Sequence, residues 1–446
     1  MAKYKIWTVF GCSVVLTCLV LLLLTSVFEH KQQARVYFPQ VVPIRENEPD
    51  PAVWGKNFRS EYDSYIKTMN TSQLENYYDY GKYAGSEPRS KLEKNPYEKR
   101  LFAGNAYAIQ YNKARGHMHS LQDMLATRRL NDKKPGTCLS CKSGDVPRVI
   151  QRMGEGRFYA SRAKELVTTL DIKHPISCAD CHQAGTMNLR ISRPAFVRAM
   201  KARGIDVSRA TRQEMRTYVC AQCHAEYYFK EKGNKLTFPW DNGLTVDDIE
   251  AYYKKADYTD WIHKETGAPM LKMQHPEFEL WSTGMHARAG VSCADCHMPY
   301  TRDGSVKLTD HWIRSPLAHI DQSCLTCHRA SEKEMRNRVF LIQDRTHYLL
   351  GKSEKAIIAA IDALKHARQA GVTDADLKKA REMHRKAQMR WDFIASENSM
   401  GFHSGQEAAR VLADSIDFAR QAELEAFKAA DKRRTVASAA GGQPAK

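Results

Sequence analysis

Five copies of one short cysteine pattern decide the fold of this chain: Cys138-Leu-Ser-Cys141-Lys142, Cys178-Ala-Asp-Cys181-His182, Cys220-Ala-Gln-Cys223-His224, Cys293-Ala-Asp-Cys296-His297 and Cys324-Leu-Thr-Cys327-His328. These pairs use 10 of the 12 cysteines in 446 residues. Four copies end in histidine, and the first ends in lysine. Two thiols followed directly by a nitrogen donor form a ligand set, so the repetition indicates a chain built around several copies of one bound group.

The Cys-x-x-Cys-His pattern is the attachment motif of c-type haem. The two thiols bond to the haem vinyl groups, and the histidine that follows supplies an axial nitrogen to the iron. Structural zinc usually takes Cys₄ or Cys₂His₂ sets, and five pairs cannot all combine into four-cysteine sites. Disulfides are common in exported chains, but they do not explain the four adjacent histidines. The sequence therefore predicts covalent haem c at the four histidine motifs.

The first motif needs a separate interpretation because Lys142 replaces the histidine. A lysine amine binds iron only after it has lost its proton. Taken alone, Cys138 and Cys141 with Lys142 fit a decayed site or a redox pair. Beside four intact motifs, a fifth haem c with Lys142 as its iron ligand is the favoured interpretation. A haem that differs from four similar ones is the natural candidate for chemistry.

Distal iron ligands must come from the histidines outside the motifs. The chain has 17 histidines, and 17 − 4 leaves 13. His117, His286, His311 and His403 are plausible by position, and spacing alone does not decide among them. His384 is a rival, although it lies on an apolar helical stripe, where a histidine is more often a satisfied core residue. The 16 methionines are a further alternative, for which core packing is the commoner role.

The N-terminus predicts an exported chain. Lys3 and Lys5 precede an uncharged run from Ile6 to Phe28, which is long enough to cross a bilayer as a helix. The basic residues lie before the run, so the N-terminus is expected in the cytoplasm and the rest outside it. An uncleaved anchor is favoured over a cleaved signal, because no small-x-small cleavage site ends the run.

The predicted fold class is mainly α: a multihaem cytochrome c with few strands and long C-terminal helices. Strand-type alternation is scarce, whereas helical stripes follow residue 346, and Gly371 stops the first of them. The predicted organisation is an anchor or signal at 1–30, a linker at 31–52, a haem-bearing catalytic region at 53–345, long helices at 346–430 and a flexible tail at 431–446. A hydrophobic fraction of 43% excludes a disordered chain.

The order of one Cys-x-x-Cys-Lys motif followed by four Cys-x-x-Cys-His motifs resembles the cytochrome c nitrite reductases, the pentahaem enzymes that form ammonia. Three further stretches carry the resemblance: Tyr111-Asn-Lys-Ala-Arg-Gly-His117, Cys220-Ala-Gln-Cys-His-Ala-Glu-Tyr-Tyr-Phe229 and Pro269-Met-Leu-Lys-Met-Gln-His-Pro-Glu277. It covers roughly residues 55–425. The resemblance implies five covalent haem c groups, with Lys142 on the proximal side of the catalytic haem.

The resemblance also implies roles for residues outside the motifs. The open distal side of the catalytic haem would be lined by Arg115, Tyr227 and His275. The distal ligands of the second, third, fourth and fifth haems would be, in that order, His311, His117, His403 and His286. Calcium, which prefers oxygen ligands, would be bound by the side chains of Glu226 and Gln274 and by the backbone carbonyls of Tyr227 and Lys272. His119 departs from the family pattern and competes with His117 on spacing.

The implied function is the reduction of nitrite to ammonium with six electrons and eight protons. Arg115 would hold a nitrite oxygen, His275 would polarise the N–O bond and pass protons, and Tyr227 would donate a hydrogen bond or relay a proton. Two alternatives stay open: an electron-transfer multihaem cytochrome, and a related reductase of sulfite or hydroxylamine.

Partners are predicted from the charge, the anchor and the family. A net charge of +17 suits an anionic substrate such as nitrite or an acidic redox protein. Export and the lack of a binding motif argue against nucleic acid. The resemblance implies a homodimer joined through the long helices. The anchor favours a membrane-bound multihaem cytochrome c quinol dehydrogenase as electron donor over a soluble carrier, on the periplasmic side of the bacterial cytoplasmic membrane.

Overall fold

The computed structural model describes residues 2–33, 40–69, 82–83, 90–129, 133–230, 233–304 and 306–441. The chain divides into two compact units, Met1–Pro43 and Ile44–Lys446. The second unit therefore includes residues 44–50, which the sequence analysis assigned to the linker. Two hydrogen bonds hold this segment against the rest of the second unit. Trp54 Nε1 donates to the carbonyl of Glu48 (2.9 Å), and Ser177 Oγ donates to the carbonyl of Pro49 (2.9 Å).

The first unit contains one long helix, α1, from Ala2 to Gln33. Within α1, the stretch Trp7–Glu29 is long and apolar enough to cross a membrane, and none of it is buried by the rest of the chain. Large apolar side chains such as Trp7, Leu22 and Leu23 are exposed. An exposed apolar helix of this kind fits an anchor and a signal sequence equally well.

The first two-thirds of the second unit consist of short helices separated by irregular chain. The α-helices are α2 Pro51–Gly55, α3 Arg59–Ile66, α4 Lys91–Lys94, α5 Glu98–Leu101, α6 Ser120–Ala126, α7 Val146–Met153, α8 Glu155–Ala160, α9 Ala163–Thr169, α10 Cys178–Cys181, α11 Pro194–Ala202, α12 Arg212–Ala221, α13 Val246–Lys255, α14 Glu277–Ser282, α15 Met285–Arg288, α16 Cys293–His297 and α17 Ile320–Ser323. The 3₁₀ turns are Lys67–Met69, Ala106–Ala108, His117–His119, Gly136–Leu139, Val207–Arg209, Pro316–Ala318 and Phe402–Ser404.

Strands are few, as the sequence predicts. The described residues form three antiparallel two-stranded ribbons, which are β1 Tyr228–Lys230 with β2 Lys235–Thr237, β3 Trp261–Ile262 with β4 Pro269–Met270, and β5 Tyr300–Asp303 with β6 Val306–Thr309. The second ribbon, whose register pairs Trp261 with Met270, leads directly into the segment that carries His275.

Three long helices close the chain: α18 Glu332–Gln369, α19 Lys378–Ser396 and α20 Gly405–Gly441. Helix α18 starts at a capping box, in which Ser331 and Glu334 satisfy each other's backbone N–H groups. It ends before Gly371, whose φ of 77° is a conformation that glycine adopts without strain. The predicted fold class is therefore confirmed. Helix α18 begins before residue 346, and α20 runs on past residue 431.

The two largest of the apolar clusters formed by the described residues border the cysteine motifs and the long helices. The larger core packs the inner faces of α18, α19 and α20 around Ile357, Trp391 and Leu412 and against Phe102. The second core packs Leu139, which lies within the first cysteine motif, with Phe196 and Trp240. Each core therefore borders the segments that carry the candidate site.

Candidate functional site

The second and fourth cysteine motifs form the short helices α10 and α16, and the other three lie at the end of a short helix or turn. None of the motif thiols is in a disulfide. The N–H groups of His182, His224 and His328 donate to the carbonyl of the first cysteine of their own motif at 2.8–2.9 Å. This single helical turn brings both thiols and the imidazole together. Lys142 differs, because its N–H donates to the carbonyl of Leu139 (2.9 Å) in a tighter turn.

The motifs also lie next to one another. The thiols of Cys141 and Cys223, in the first and third motifs, are close enough to shift each other's pKa. Cys293 of the fourth motif likewise raises the pKa of Cys220 in the third. The structure therefore brings the first, third and fourth motifs next to one another, although their cysteines are separated by up to 158 residues in sequence (296 − 138).

All four motif histidines face a second histidine from elsewhere in the chain. The ring centroids are 6.2–6.3 Å apart in each pair. The pairs are His182 with His311, His224 with His117, His297 with His403, and His328 with His286. These are the pairings that the family resemblance implies for the second to fifth motifs.

The spacing of these pairs fits a metal ion between two imidazoles. With a metal–nitrogen bond of ~2.0 Å and a ring centroid ~1.1 Å beyond the nitrogen, two rings on opposite sides of one metal have centroids ~6.2 Å apart. Rings in direct contact would be closer, as in the His263–His384 pair at 5.2 Å. The donor set and the gap therefore fit haem iron.

Hydrogen bonds fix which ring nitrogen is available. Nδ1 of His182 lies 2.9 Å from the carbonyl of Met187, and Nδ1 of His311 lies 2.8 Å from that of Thr309. Nδ1 of His297 lies 3.0 Å from another backbone carbonyl. A carbonyl only accepts, so each Nδ1 carries the hydrogen and each Nε2 keeps its lone pair. Burial lowers the pKa of His182 and of His297 to about 4, so both rings are neutral and able to bind a metal.

The two rival histidines have other partners. His384 is fully buried, with Nδ1 3.3 Å from Thr266 Oγ1 and Nε2 3.2 Å from Gln388 Oε1. Both of its ring nitrogens are thus occupied, as expected of a core histidine. His119 is half-buried and its Nε2 lies 3.2 Å from the carbonyl of Met69, whereas His117 faces His224.

Tyr227 and His275 lie together beside the first motif. Their rings are 6.5 Å apart between centroids. Burial raises the pKa of Tyr227, and the neighbouring Cys141 thiol raises it further. Burial lowers the pKa of His275 to about 3, and the Lys142 ammonium contributes in the same direction. His275 is therefore a neutral hydrogen-bonding group in the electrostatic neighbourhood of Lys142.

Arg115 is held by a carboxylate that sequence reasoning did not identify. Its Nε donates to Asp123 Oδ1 at 2.9 Å, and its Nη2 donates to Gln122 Oε1 at 3.1 Å. The side chain of Arg115 is 19% exposed. The hydrogen bonds found among the described residues use Nε and Nη2, which leaves Nη1 as a donor for a bound anion. The structure thus places Arg115 in an ion pair rather than in contact with Tyr227 or His275.

The calcium ligands that the resemblance implies converge around Glu226. Glu226 is fully buried and accepts hydrogen bonds from the Tyr253 hydroxyl (2.8 Å) and from the N–H of Gln274 (2.6 Å). The Gln274 amide donates to the carbonyl of Lys272 at 3.2 Å. Tyr227 follows Glu226 directly in sequence. Three of the four proposed ligands are therefore adjacent.

The charge around Glu226 suits a cation. Burial raises the pKa of Glu226 well above its ordinary value, and the carboxylates of Glu279 and Asp260 raise it further. Burial also raises the pKa of Glu279, to about 8, and one of its oxygens is buried without a hydrogen-bond partner. Among the described residues no cluster of three His, Cys, Asp or Glu side chains forms a metal site, so a cation here would also need carbonyl and amide oxygens.

Residues 50–441 match the family model described as Cytochrome c552. The chain belongs to the cytochrome c552 family. It is 41% identical to cytochrome c-552 of Porphyromonas gingivalis over 428 residues, which cover 94% of this chain and 84% of that protein. It is 42% identical to cytochrome c-552 of Parabacteroides distasonis over 434 residues, covering 95% and 85%.

A solved structure agrees with this family assignment. The chain is similar to the catalytic subunit of a cytochrome c nitrite reductase from Desulfovibrio desulfuricans, with 33% identity and a TM-score of 0.82. The match covers 87% of this chain and 88% of that one. The reported structure of that subunit has two calcium sites.

Two carboxylates of this cytochrome c552 family member lie near histidines of the facing pairs and were missed from the sequence. Glu397 Oε1 lies 2.6 Å from Nδ1 of His403, and Glu277 Oε1 lies 3.9 Å from Nδ1 of His224. Glu277 stands within a stretch that matched the family, so its position gave a weak signal. Glu397 gave none, because only the turn between α19 and α20 brings it back to His403.

Proposed function

We propose that this chain is an ammonia-forming cytochrome c nitrite reductase, which reduces nitrite to ammonium with six electrons and eight protons at a lysine-ligated haem c. Four further haem c groups, each between two histidines, would supply electrons to that haem. The observation that carries this proposal is the asymmetry of the five motifs. Four motif histidines each face a second imidazole at 6.2–6.3 Å, whereas Lys142 shares its surroundings with Tyr227 and His275.

The cysteines at positions 138, 141, 178, 181, 220, 223, 293, 296, 324 and 327 would hold the five groups. When bound, haem c would supply the iron that takes nitrite and the electrons that reduce it. At the haem that Lys142 would bind, one axial position of the iron would stay free for substrate. The alternative function, an electron-transfer cytochrome, would instead need two protein ligands on every iron.

His275 would act as a neutral hydrogen-bond donor to the substrate. Burial lowers its pKa to about 3, so at neutral pH the ring carries one N–H and one lone pair. Such a ring polarises an N–O bond through its N–H, and it passes a proton on by taking another at the opposite nitrogen. Tyr227, whose pKa is raised by burial, keeps its hydroxyl proton and is a second donor.

Arg115 would bind the anion through its remaining donor. Asp123 orients the guanidinium through Nε, and a guanidinium so fixed loses little further freedom when it binds an oxyanion. The ion pair with Asp123 also balances the charge of the Arg115 guanidinium when no substrate is bound.

Calcium would organise the same side of the site. Glu226 and Gln274 stand next to Tyr227 and His275 in sequence, so a cation bound to the first pair would fix the backbone of the second. The two calcium sites of the Desulfovibrio desulfuricans catalytic subunit support a calcium role here.

The proposed assembly is an anchored homodimer. Large apolar side chains are exposed along the long helices, including Tyr348 on α18 and Leu424 and Phe427 on α20, which suits a helix-to-helix contact. Helix α1 would hold the enzyme at the periplasmic face of the cytoplasmic membrane, with a membrane multihaem cytochrome c quinol dehydrogenase as donor.

The function is tested by supplying nitrite and a low-potential electron donor to the holoprotein. We expect one ammonium per nitrite and six electrons consumed. The Lys142→His variant should keep five covalent haems and turn over nitrite more slowly by roughly tenfold or more, about 1.4 kcal/mol in activation free energy. Protein with five haems that consumes no nitrite would contradict the proposal. Faster turnover of sulfite than of nitrite would favour a related reductase.

A further inference from the structure

One fully buried arginine joins three of the five motifs. Arg193 lies just before α11 and its side chain is 2% exposed. Its Nη2 donates to Asp180 Oδ1, in the second motif, at 2.6 Å. Its Nε donates to the carbonyl of Ser140, in the first motif, and Nη2 also reaches the carbonyl of Ser143 at 3.2 Å. Ser140 and Ser143 flank Cys141 and Lys142 on either side.

The third motif joins the same network through Gln222, the residue before Cys223. Gln222 Oε1 accepts from the backbone N–H groups of Ser192 (3.0 Å) and Arg193 (3.1 Å). Its Nε2 donates to the carbonyl of Asp180 at 3.0 Å. Ser192 Oγ completes the set, since it accepts from Arg193 Nη1 (2.7 Å) and donates to the carbonyl of Asp180 (2.7 Å).

The residues between the paired cysteines therefore have a second role, which is to contact Arg193. Ser140, Asp180 and Gln222 are the x residues of their motifs, and each one contacts Arg193 or its backbone. Asp180 also caps its own helix by accepting from the N–H of Ser177 at 2.7 Å. The fourth motif repeats this arrangement, with Asp295 capping α16 and accepting from Arg216 of α12 at 3.0 Å.

The free-energy cost of burying this ion pair indicates that the network serves to fix the relative positions of the motifs. Taking a guanidinium and a carboxylate out of water costs several kcal/mol per ion, which their attraction rarely exceeds, so a buried pair is weak support for stability alone. The planar guanidinium has fixed donor directions, and here three of its hydrogen bonds reach the first and second motifs while a fourth holds the neighbouring Ser192. Such a group fixes relative position better than apolar packing does.

We propose that Arg193 is a positioning residue that locks the first, second and third motifs together and thereby sets the position of Lys142. This inference rests on the proposed function only in so far as the motifs carry haem and Lys142 binds the reactive iron. Arg193 contacts the motif backbones, not Arg115, Tyr227 or His275, so it acts on the proximal side and on the spacing of electron carriers.

The test is Arg193→Lys in the full-length holoprotein, because lysine keeps the charge but lacks the fork of donors that reaches the first and second motifs together. The matched control is Arg198→Lys on α11, where Arg198 pairs with Glu155 away from the motifs. We expect both variants to carry five covalent haems. In Arg193→Lys alone, kcat for nitrite should fall roughly tenfold with KM within about twofold, since small misplacements are costly in rate. The electron paramagnetic resonance (EPR) signal of the lysine-bound haem should also change.

Wild-type values of kcat and an unchanged EPR spectrum in a five-haem Arg193→Lys protein would overturn the proposal. If that variant does not mature, Ser192→Ala decides, because it removes only the hydroxyl bonds to Arg193, Asp180 and Gln222. It should load five haems and change the same EPR signal to a smaller extent, and an unchanged spectrum would overturn the proposal. If the wild type forms no ammonium, the proposed function is wrong. The comparison of EPR spectra between the wild type and the Arg193→Lys variant would still test the positioning role of Arg193.

Discussion

At the scale of single residues, the paired histidines differ in what lies next to their second ring nitrogen. His182, His297 and His311 donate to backbone carbonyls, whereas Nδ1 of His403 lies 2.6 Å from the fully buried carboxylate of Glu397. The negative charge of a carboxylate would make the ring a stronger electron donor to a metal than a neutral carbonyl does. His403 should therefore belong to the least easily reduced of the histidine-bound haems.

Replacing His403 and His384 separately distinguishes the ligand from the core histidine. His403→Ala should leave one haem with a single axial histidine and convert one low-spin EPR signal to high-spin. His384→Ala should leave every EPR signal unchanged and lower the free energy of unfolding by ~1–3 kcal/mol, through its lost buried hydrogen bonds. The reverse pattern in the spectra would show that the ligand was assigned to the wrong residue.

Glu226→Gln tests the calcium site with little change in shape. It should abolish bound calcium, measured by elemental analysis, and lower nitrite turnover while five haems remain. The reason is that one carboxylate supplies the charge and part of the ligand set. Glu155→Gln, at the carboxylate paired with Arg198, is the control and should keep its calcium. A wild-type protein that contains no calcium and does not respond to chelators would disprove the site.

The residues of the site were predictable to the extent that short motifs carry them. Lys142 and the four motif histidines follow from the cysteine spacing, and the family resemblance supplied the four distal partners. The contact of Arg115 with Asp123 and that of His403 with Glu397 were not predictable. An ordinary Asp or Glu gives no signal of its own, and its partner is decided by how loops return after folding.

At the scale of elements, the hydrophobic stripes predicted the three long helices but not their ends. Helix α18 starts before its apolar stripe, because the Ser331–Glu334 capping box sets the first turn. Helix α20 continues to Gly441 through a basic, alanine-rich stretch that favours helix. The Arg193 network could not be predicted from the sequence, since it joins residues 13 to 53 positions apart, partly through backbone carbonyls.

The dimer is tested on the exposed face of α20. Leu424 and Phe427 are 52% and 50% exposed in the single chain, so replacing both with Glu should leave the fold intact. In a helix-to-helix interface, the same charges would be buried without partners at a cost of ~3–5 kcal/mol, which should yield monomers. Sedimentation of the detergent-solubilised protein measures this. The control Ala202→Glu lies at an exposed position on α11. A wild-type protein that sediments as a monomer would reject the dimer.

At the scale of the whole molecule, a basic chain is joined to one exposed apolar helix. The expected outcome is a protein that stays in the membrane fraction after a high-salt wash, because apolar burial in lipid does not respond to salt. Its N-terminal sequence should include residues before 28. A mature chain that starts beyond residue 28 and is found wholly in the soluble fraction would remove the anchor and most of the case for a membrane electron donor.

The most direct test of the central claim is EPR spectroscopy of the oxidised five-haem protein, with and without nitrite. One haem held by Lys142, with a free axial position, predicts one high-spin signal among four low-spin ones and a change in that signal alone when nitrite binds. Five low-spin haems that nitrite leaves unchanged would mean that every iron has two protein ligands. The chain would then be an electron carrier and not a nitrite reductase.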